Sequence, residues 1–289
     1  MKRILFSFAV LLLMTVSASA QSDGYFQQGE FGFTVGMGHY FGDLNTRTGL
    51  NTPKPSVGLF FRKQFGNYVG LRVAGRYAEL GYSDSYSKNE YQKTRNLNFN
   101  SNIFEFAVQG DFNFFRYNPY DVNHIFTPYV TLGVGLFSYD PYTIFNGEKV
   151  YLRPLGTEGQ VAGYLGRTEY STMAVAVPLG VGIKYSINPK INLTVEVSHR
   201  FTTTDYLDDV STTFVDNPSA TFPTSSPTGE PSLGYLLNDR SWEVLGTGVP
   251  LLGSVPGRQR GWSKQKDQYV IAEIGISINI GSYRCPTAN

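Results

Sequence analysis

The sequence predicts an all-β fold, an eight-stranded antiparallel transmembrane β-barrel of an outer membrane with long extracellular loops. Three observations predict it. Segments of about ten residues alternate apolar and polar positions with the period of an extended strand. Their apolar faces carry no charge, and the connections between them are alternately long and short. The composition agrees: 31 glycines, 15% aromatic and only 16% charged residues describe a strand-rich chain.

The stretch Asn102 to Phe115 is sorted most cleanly. Phe104, Phe106, Val108, Phe112 and Phe114 fall on one side, and Glu105, Gln109, Asp111 and Asn113 on the other. A helix would mix the two sets. Alternation of this kind serves a soluble sheet with one wet face or a barrel in lipid, and the rest of the chain decides between them.

The chain opens with Lys2 and Arg3, an apolar run from Ile4 to Val16, and the small residues Ala18, Ser19 and Ala20. That is the pattern of an export signal, too short to span a bilayer comfortably. The expected organisation is a cleaved signal peptide over 1–20, a barrel over 21–280 and a short periplasmic tail over 281–289. No cysteine lies directly after the cleavage position, so a lipid-anchored mature chain is not expected. Removing Lys2 and Arg3 lowers the formal charge from +1 to −1, which leaves no global basic field for nucleic acid.

Near-alternating segments run over Glu30–Tyr40, Ser56–Phe65, Tyr68–Leu80, Ile103–Phe115, Thr127–Tyr139, Thr172–Tyr185, Ile191–Thr203 and Gln268–Ile280. Each is long enough to cross a bilayer at a tilt and longer than the usual soluble strand. The proposed lipid faces include Phe31, Phe33, Val35 and Met37 in the first segment and Ile274, Ile276, Ile278 and Ile280 in the last. The opposite faces hold Arg62, Arg72, Arg76, Glu105, Asp111, Lys184, Glu196, Arg200 and Glu273, interleaved with glycines. In a narrow barrel glycine makes room while opposite charges pair across the lumen, and an eight-stranded lumen fills with side chains. A soluble sandwich gains nothing from so many glycines on its wet face.

The first, third, fifth and seventh connections, near 41–54, 81–102, 140–171 and 204–267, are long, and the intervening ones are short or moderate. Outer-membrane barrels keep short turns at the periplasmic end and long loops outside. An even strand number then leaves both termini in the periplasm. Tyr68, Tyr77, Tyr129, Tyr139, Tyr185 and Tyr269 lie close to strand ends, where they suit interfacial girdles or packing. The segment Asp216 to Pro231, rich in Ser, Thr, Pro and Gly, reads as irregular.

Reactive constellations are scarce. Ser198 and His199 are adjacent and therefore point to opposite faces of one strand. His39 and His199 are placed on or near outward faces, and His124 in a turn, so no metal cluster is expected from them. Asp205, Asp208 and Asp209 fit either a hard-cation site of oxygen ligands or solvated and capping carboxylates. Cys285 is the one cysteine in the chain, which excludes an internal disulfide. A lone thiol beside Pro286, just past the last strand, is a candidate for a disulfide with a partner chain.

Three runs stand out: GHYFGDLN over 38–45, with Gly42, Asp43, Leu44 and Asn45; PLGTEGQ over 154–160, with Glu158; and TTTDYLDDVST over 202–212, with Asp205, Tyr206, Asp208 and Asp209. With the signal peptide, the eight strands and Cys285-Pro286, nearly the whole mature chain resembles the PorG family of outer-membrane barrels associated with type IX secretion in gliding and related bacteria. The resemblance implies a non-enzymatic barrel without cofactor, held in outer-membrane lipid. It further implies docking of a periplasmic ring, made of a lipoprotein and its partner, to that membrane. Two other readings stand beside it: a structural or adhesin-like barrel whose outer loops bind ligand, and a small outer-membrane lipid-modifying enzyme.

Overall fold

Strand length and closure set the architecture of the computed structural model, which describes residues 25–46, 51–222 and 231–283. The strands are β1 (Tyr25–Phe41), β2 (Lys54–Phe65), β3 (Val69–Ser83), β4 (Asn98–Asn113), β5 (Phe126–Ser138), β6 (Tyr142–Phe145), β7 (Glu148–Tyr151), β8 (Met173–Asn188), β9 (Ile191–Thr202) and β10 (Gln268–Tyr283). Eight of them form a closed antiparallel barrel in the order β1, β2, β3, β4, β5, β8, β9, β10, with β10 returning to β1. Closure removes the free sheet edge, so the ladder groups of the wall find partners within the wall, as a hydrocarbon environment requires. The short β6 and β7 form a hairpin outside the barrel, joined to β4 by the pairing of Asn100 with Tyr142.

The alternation read from the sequence is the alternation of the wall. In β4, Phe104 is 61% exposed and Phe106 59%, whereas Glu105 is 4% and Gln109 0% exposed. The same outward belt runs through Phe31, Phe33, Val35 and Met37 of β1 and Ile274, Ile276 and Ile278 of β10. A soluble protein rarely exposes an apolar band of this extent, and a band that encircles the molecule matches lipid. No helix among the described residues is long and apolar enough to cross a membrane.

The connections over 42–53, 84–97, 139–172 and 203–267 lie at one end and those over 66–68, 114–125 and 189–190 at the other; the lengths alternate only in part, since 42–53 and 114–125 are equally long. Tyr25 pairs with Tyr283, so both ends of the barrel lie with the short turns. The last strand runs three residues beyond the expected Ile280, carrying pairing into the predicted tail. The predicted signal segment and Cys285 lie outside the described residues.

The long loops fold into a cap. It holds the β6–β7 hairpin and short helices over Glu90–Arg95, Leu233–Asn238 and Ser241–Leu245. The predicted irregular segment begins with a short helix over Pro218–Thr221, capped by the Asn217 side chain, and its residues 223–230 lie outside the described residues. The apolar core sits here rather than in the lumen: Tyr40, Leu44, Leu80, Phe99, Phe137, Leu207 and Leu237 are all buried together above the barrel mouth.

The tyrosines divide. Tyr68 and Tyr185 are exposed at the turn end as a girdle requires, but Tyr129, Tyr139 and Tyr269 are buried, so these three pack the interior instead. His39 also departs from expectation. It is buried at the end of β1, where Phe41 packs on its ring and Asn45 hydrogen-bonds it at 3.0 Å.

Val108 lies in the belt, flanked by Val73 and Val134. We expect Val108→Arg to destabilise the inserted barrel by about 2–4 kcal/mol, the penalty of arginine on the lipid face near the midplane, and Val108→Leu to change little. Urea titration of the protein refolded in vesicles reads both.

Candidate functional site

Two constellations hold the charged and motif residues, one inside the barrel and one in the cap. Within the lumen, strands project five cations, Arg62, Arg72, Arg76, Lys184 and Arg200, and five carboxylates, Glu30, Glu105, Asp111, Glu196 and Glu273, all buried. Their formal charges cancel. Asp111 lies 2.6 Å from Arg62, 3.6 Å from Arg72 and 3.5 Å from Lys184. Arg72 continues to Glu196 at 2.6 Å, and Arg62 also bonds Glu30.

Nearer the cap, Arg76 clamps Glu105 at 2.6 Å and Glu273 at 2.7 Å, while Arg200 reaches Glu105 at 3.3 Å. Tyrosine hydroxyls complete the shells: Tyr129 donates to Glu196 at 2.7 Å and Tyr269 to Glu105 at 2.6 Å. Burying a charge without a partner is prohibitive, so each strand's inward residue depends on those of its neighbours. The result is a lumen filled by paired side chains.

All nine lumen charges singled out from the sequence belong to this network. Glu30 was overlooked as a lumen charge. Its signal was its place on the inward face of β1, in period with Gly32 and Gly36.

The cap brings the three motif runs together. The Asp43 carboxylate accepts the Trp262 amide at 3.0 Å, and Asn45 donates to the Tyr40 carbonyl at 2.8 Å. Leu44 is buried in the apolar core. Gly42 allows the close approach: a Cβ there would lie 2.0 Å from the Asp267 carboxylate and 2.0 Å from the Tyr40 hydroxyl.

Glu158, fully buried, accepts the Ser211 amide at 2.9 Å and the Thr212 hydroxyl at 2.6 Å, with Arg260 at 3.2 Å. Asp209 accepts from the Tyr170 hydroxyl at 2.7 Å and from Thr157. Tyr206 stacks on Tyr170 with centroids 4.4 Å apart. Asp205 accepts from the Ser211 hydroxyl at 2.6 Å.

The solvated reading of Asp205, Asp208 and Asp209 is therefore overturned, because the loop folds back and buries all three. Their carboxylates serve separate hydroxyl and amide donors. No group of three or more His, Cys, Asp or Glu among the described residues is arranged to hold a metal ion.

Tyr40 links this cluster to the barrel. Its hydroxyl lies 2.5 Å from Asp208 and 3.0 Å from Asp267. One hydroxyl hydrogen serves one carboxylate, so the second contact needs a proton on a carboxyl group. Burial accounts first for the raised proton affinity of this cluster. It lifts Asp43 to about 7, with the Asp205 charge adding to it, and Asp205 and Asp209 to about 6. Asp208 and Asp267 are raised well above the usual carboxyl range by burial and then by neighbouring carboxylates. Asp267 and Arg260 gave no signal in the sequence, because their partners stand far away along the chain.

Carboxyl groups whose folded affinity exceeds the unfolded one stabilise the cap below the unfolded value, about 4, and that contribution is lost as pH rises through the folded values of about 6 to 7. We expect amide exchange, corrected for its intrinsic pH dependence, to show segments 203–222 and 231–267 less protected at pH 8 than at pH 5, with Asp43→Asn flattening the difference. Glu105→Gln takes its carboxylate partner from Arg200 and leaves Arg76 with Glu273 alone, and should destabilise the barrel by about 3–5 kcal/mol, measured by the same urea titration in vesicles.

Among curated proteins none matches the sequence. Solved structures resemble it at low identity. Neisserial surface protein A is 7% identical, covering 87% of this chain and 97% of its own, with a TM-score of 0.42. Ail, the attachment invasion locus protein of Yersinia pestis, is 11% identical over 87% of this chain and 99% of its own, with a TM-score of 0.37. The outer membrane enzyme PagL is 10% identical over 87% and 99%, with a TM-score of 0.30. A fold does not carry a function with it. The family model described as a domain of unknown function, DUF6089, matches residues 2–222 of the sequence, and the chain belongs to that family.

Proposed function

We propose that the chain is an outer-membrane barrel of the PorG type, oriented with its short turns and termini in the periplasm, that docks a periplasmic ring of the type IX secretion machinery to the membrane. The supporting observation is the convergence of GDLN, Glu158 and the 205–209 run into one sealed cap. The residues that carry the resemblance are used there to fold the long loops over the barrel mouth. With the lumen filled by paired charges as well, the working surface left to the protein is its outside. Docking suits such a molecule better than conduction.

A second reading, a ligand-binding barrel of adhesin type, is favoured by the turn at Leu165. This non-glycine residue is held at φ +52° and is 75% exposed, between Gly163 and Gly166, both also at positive φ. Strained backbone that presents an apolar side chain outward is a feature of binding loops. The enzymatic reading has less support. Ser198 is buried in the lumen beside Glu196 and Arg200, while His199 lies outside the wall on Gln268.

Cys285 is proposed as the thiol of a disulfide with a periplasmic partner. Affinity purification from detergent-solubilised envelopes of the native host tests the docking reading. We expect a stoichiometric periplasmic lipoprotein with the wild-type chain, and an adduct on non-reducing gels that Cys285→Ser abolishes. Recovery of the intact barrel alone, at native expression levels and after reversible cross-linking, overturns docking. An undiminished complex without any adduct overturns the disulfide and leaves docking standing.

A further inference from the structure

The outer wall of the barrel is notched at Gly75. Phe33, Leu59, Gly75, Phe106 and Leu136 are successive cross-strand partners, so glycine interrupts a row of large outward side chains. A Cβ built at Gly75 would meet nothing within 4 Å. The hollow belongs to a groove of about 730 Å³ that reaches Tyr77, Phe104 and Met173 towards the long-loop end. There the hydrocarbon belt stops. The outward positions of β4 carry no polar side chain from Phe112 to Phe104 and then continue as Asn102 and Asn100, while Tyr77 of β3 is followed on its face by Glu79.

The β6–β7 hairpin stands above this boundary, because Asn100 pairs with Tyr142. Thr143 and Phe145 are buried, and Tyr142, Ile144, Lys149 and Tyr151 share the other face. The pair Tyr142 and Tyr151 lies at the barrel side of the hairpin, and the pair Ile144 and Lys149 lies two residues nearer its tip. Lys149 turns back. Its ammonium sits 3.8 Å from the centroid of Tyr142 and 4.8 Å from that of Tyr151, and it forms no ion pair among the described residues. A lysine at a membrane edge ordinarily extends its ammonium away from the hydrocarbon. Here two ring faces hold the cation on the barrel side instead, and Glu148 stands opposite Phe145 on the other face of the hairpin.

We propose that groove and hairpin bind one molecule of a phosphorylated, acylated sugar, a glycolipid of the lipid A class. An acyl chain lies over Gly75, the sugar packs on the hairpin tyrosines, and a sugar phosphate meets the Lys149 ammonium. The inference rests on the orientation proposed above, which puts the long-loop end at the cell surface, where the outer leaflet of an outer membrane is built of such glycolipids. Each part of the ligand finds its complement in order along the wall. The recess in the apolar belt takes hydrocarbon, the tyrosine faces take the apolar face of a sugar, and the ammonium takes the phosphate. A glycerophospholipid supplies chain and phosphate but no sugar for the rings.

The test uses the full chain purified in mild detergent. It is offered equal amounts of bis-phosphorylated lipid A, dephosphorylated lipid A and phosphatidylglycerol, and native mass spectrometry counts what is retained. Wild type should keep one phosphorylated lipid A, favoured several-fold over both competitors. Gly75→Leu, which fills open space, should lose it. Lys149→Ala should retain the phosphorylated and dephosphorylated forms alike, whereas Lys149→Arg should keep the preference. Gly110→Leu is the control: it adds the same bulk elsewhere on the outer face of β4, where a Cβ meets only the Leu132 carbonyl at 3.8 Å, and it should behave as wild type.

Retention in Gly75→Leu equal to wild type, equal loss in Gly110→Leu, an unchanged preference in Lys149→Ala, or phosphatidylglycerol held as well as lipid A overturns the site. Heat-modifiable migration on gels identifies folded variants, and Lys149→Ala, on the hairpin outside the barrel, decides the matter if Gly75→Leu does not fold. Thiol labelling of intact cells separates the site from the orientation on which it rests, using Thr247→Cys, exposed in the last long connection, in a Cys285→Ser chain. Labelling from outside without selective lipid A binding refutes the site alone. Labelling only after permeabilisation refutes the orientation and the site with it.

Discussion

The pairing of buried charge across the lumen is the constraint on which the rest of the structure depends. Ten ionised groups stand inside a wall whose outer surface is hydrocarbon-like, and isolated charges in such a place are intolerable. Arg76 of β3 needs Glu105 of β4 and Glu273 of β10, and Arg72 needs Glu196 of β9, so strands far apart in sequence must arrive together. Closure of the ladder from β10 to β1 and neutralisation of the lumen are therefore two aspects of one event. A strand out of register by one residue turns its charges to lipid and its apolar groups inward.

The same physics shapes the cap with fewer cations to help. Arg95 and Arg260 are the principal buried bases among Asp43, Asp84, Glu158, Asp208 and Asp209. Backbone amides and hydroxyls supply much of the remaining satisfaction, as at Glu158, and protons supply more, as at the Tyr40 bridge between Asp208 and Asp267. A cap built this way is an ordered lid made of long loops. It makes the long-loop end of the molecule a folded surface, which bears on either docking or ligand binding as a function.

The outward surface divides by chemistry. The belt is apolar and nearly continuous, interrupted where Gly75 leaves a recess and where the hairpin extends the wall with Tyr142, Lys149 and Tyr151. Aromatic rings and a lysine at the edge of a hydrocarbon belt sit where a bilayer changes from acyl chains to headgroups. The hairpin thus continues the wall as well as crowning the cap, and this joins the loop architecture to the membrane.

By itself the sequence determined the strands, their two faces and the end of the barrel at which the loops lie. Those properties are local: side-chain direction follows from a period of two, and Phe104 beside Glu105 declares its face without reference to any other strand. Nine of the ten lumen charges were legible for that reason, and so was the even strand number. What only the tertiary structure decided is who meets whom. Tyr129 and Tyr269 read as girdle residues because a strand-end tyrosine has the same local pattern whether it faces lipid or a buried carboxylate. The run 205–209 read as solvated, capping or cation-binding because nothing nearby in sequence announces Tyr40, Thr157 or Tyr170 as its donors. Register and loop folding are long-range outcomes, fixed by closure of the barrel and by the need of each buried polar group for a partner, and no window of neighbouring residues contains them.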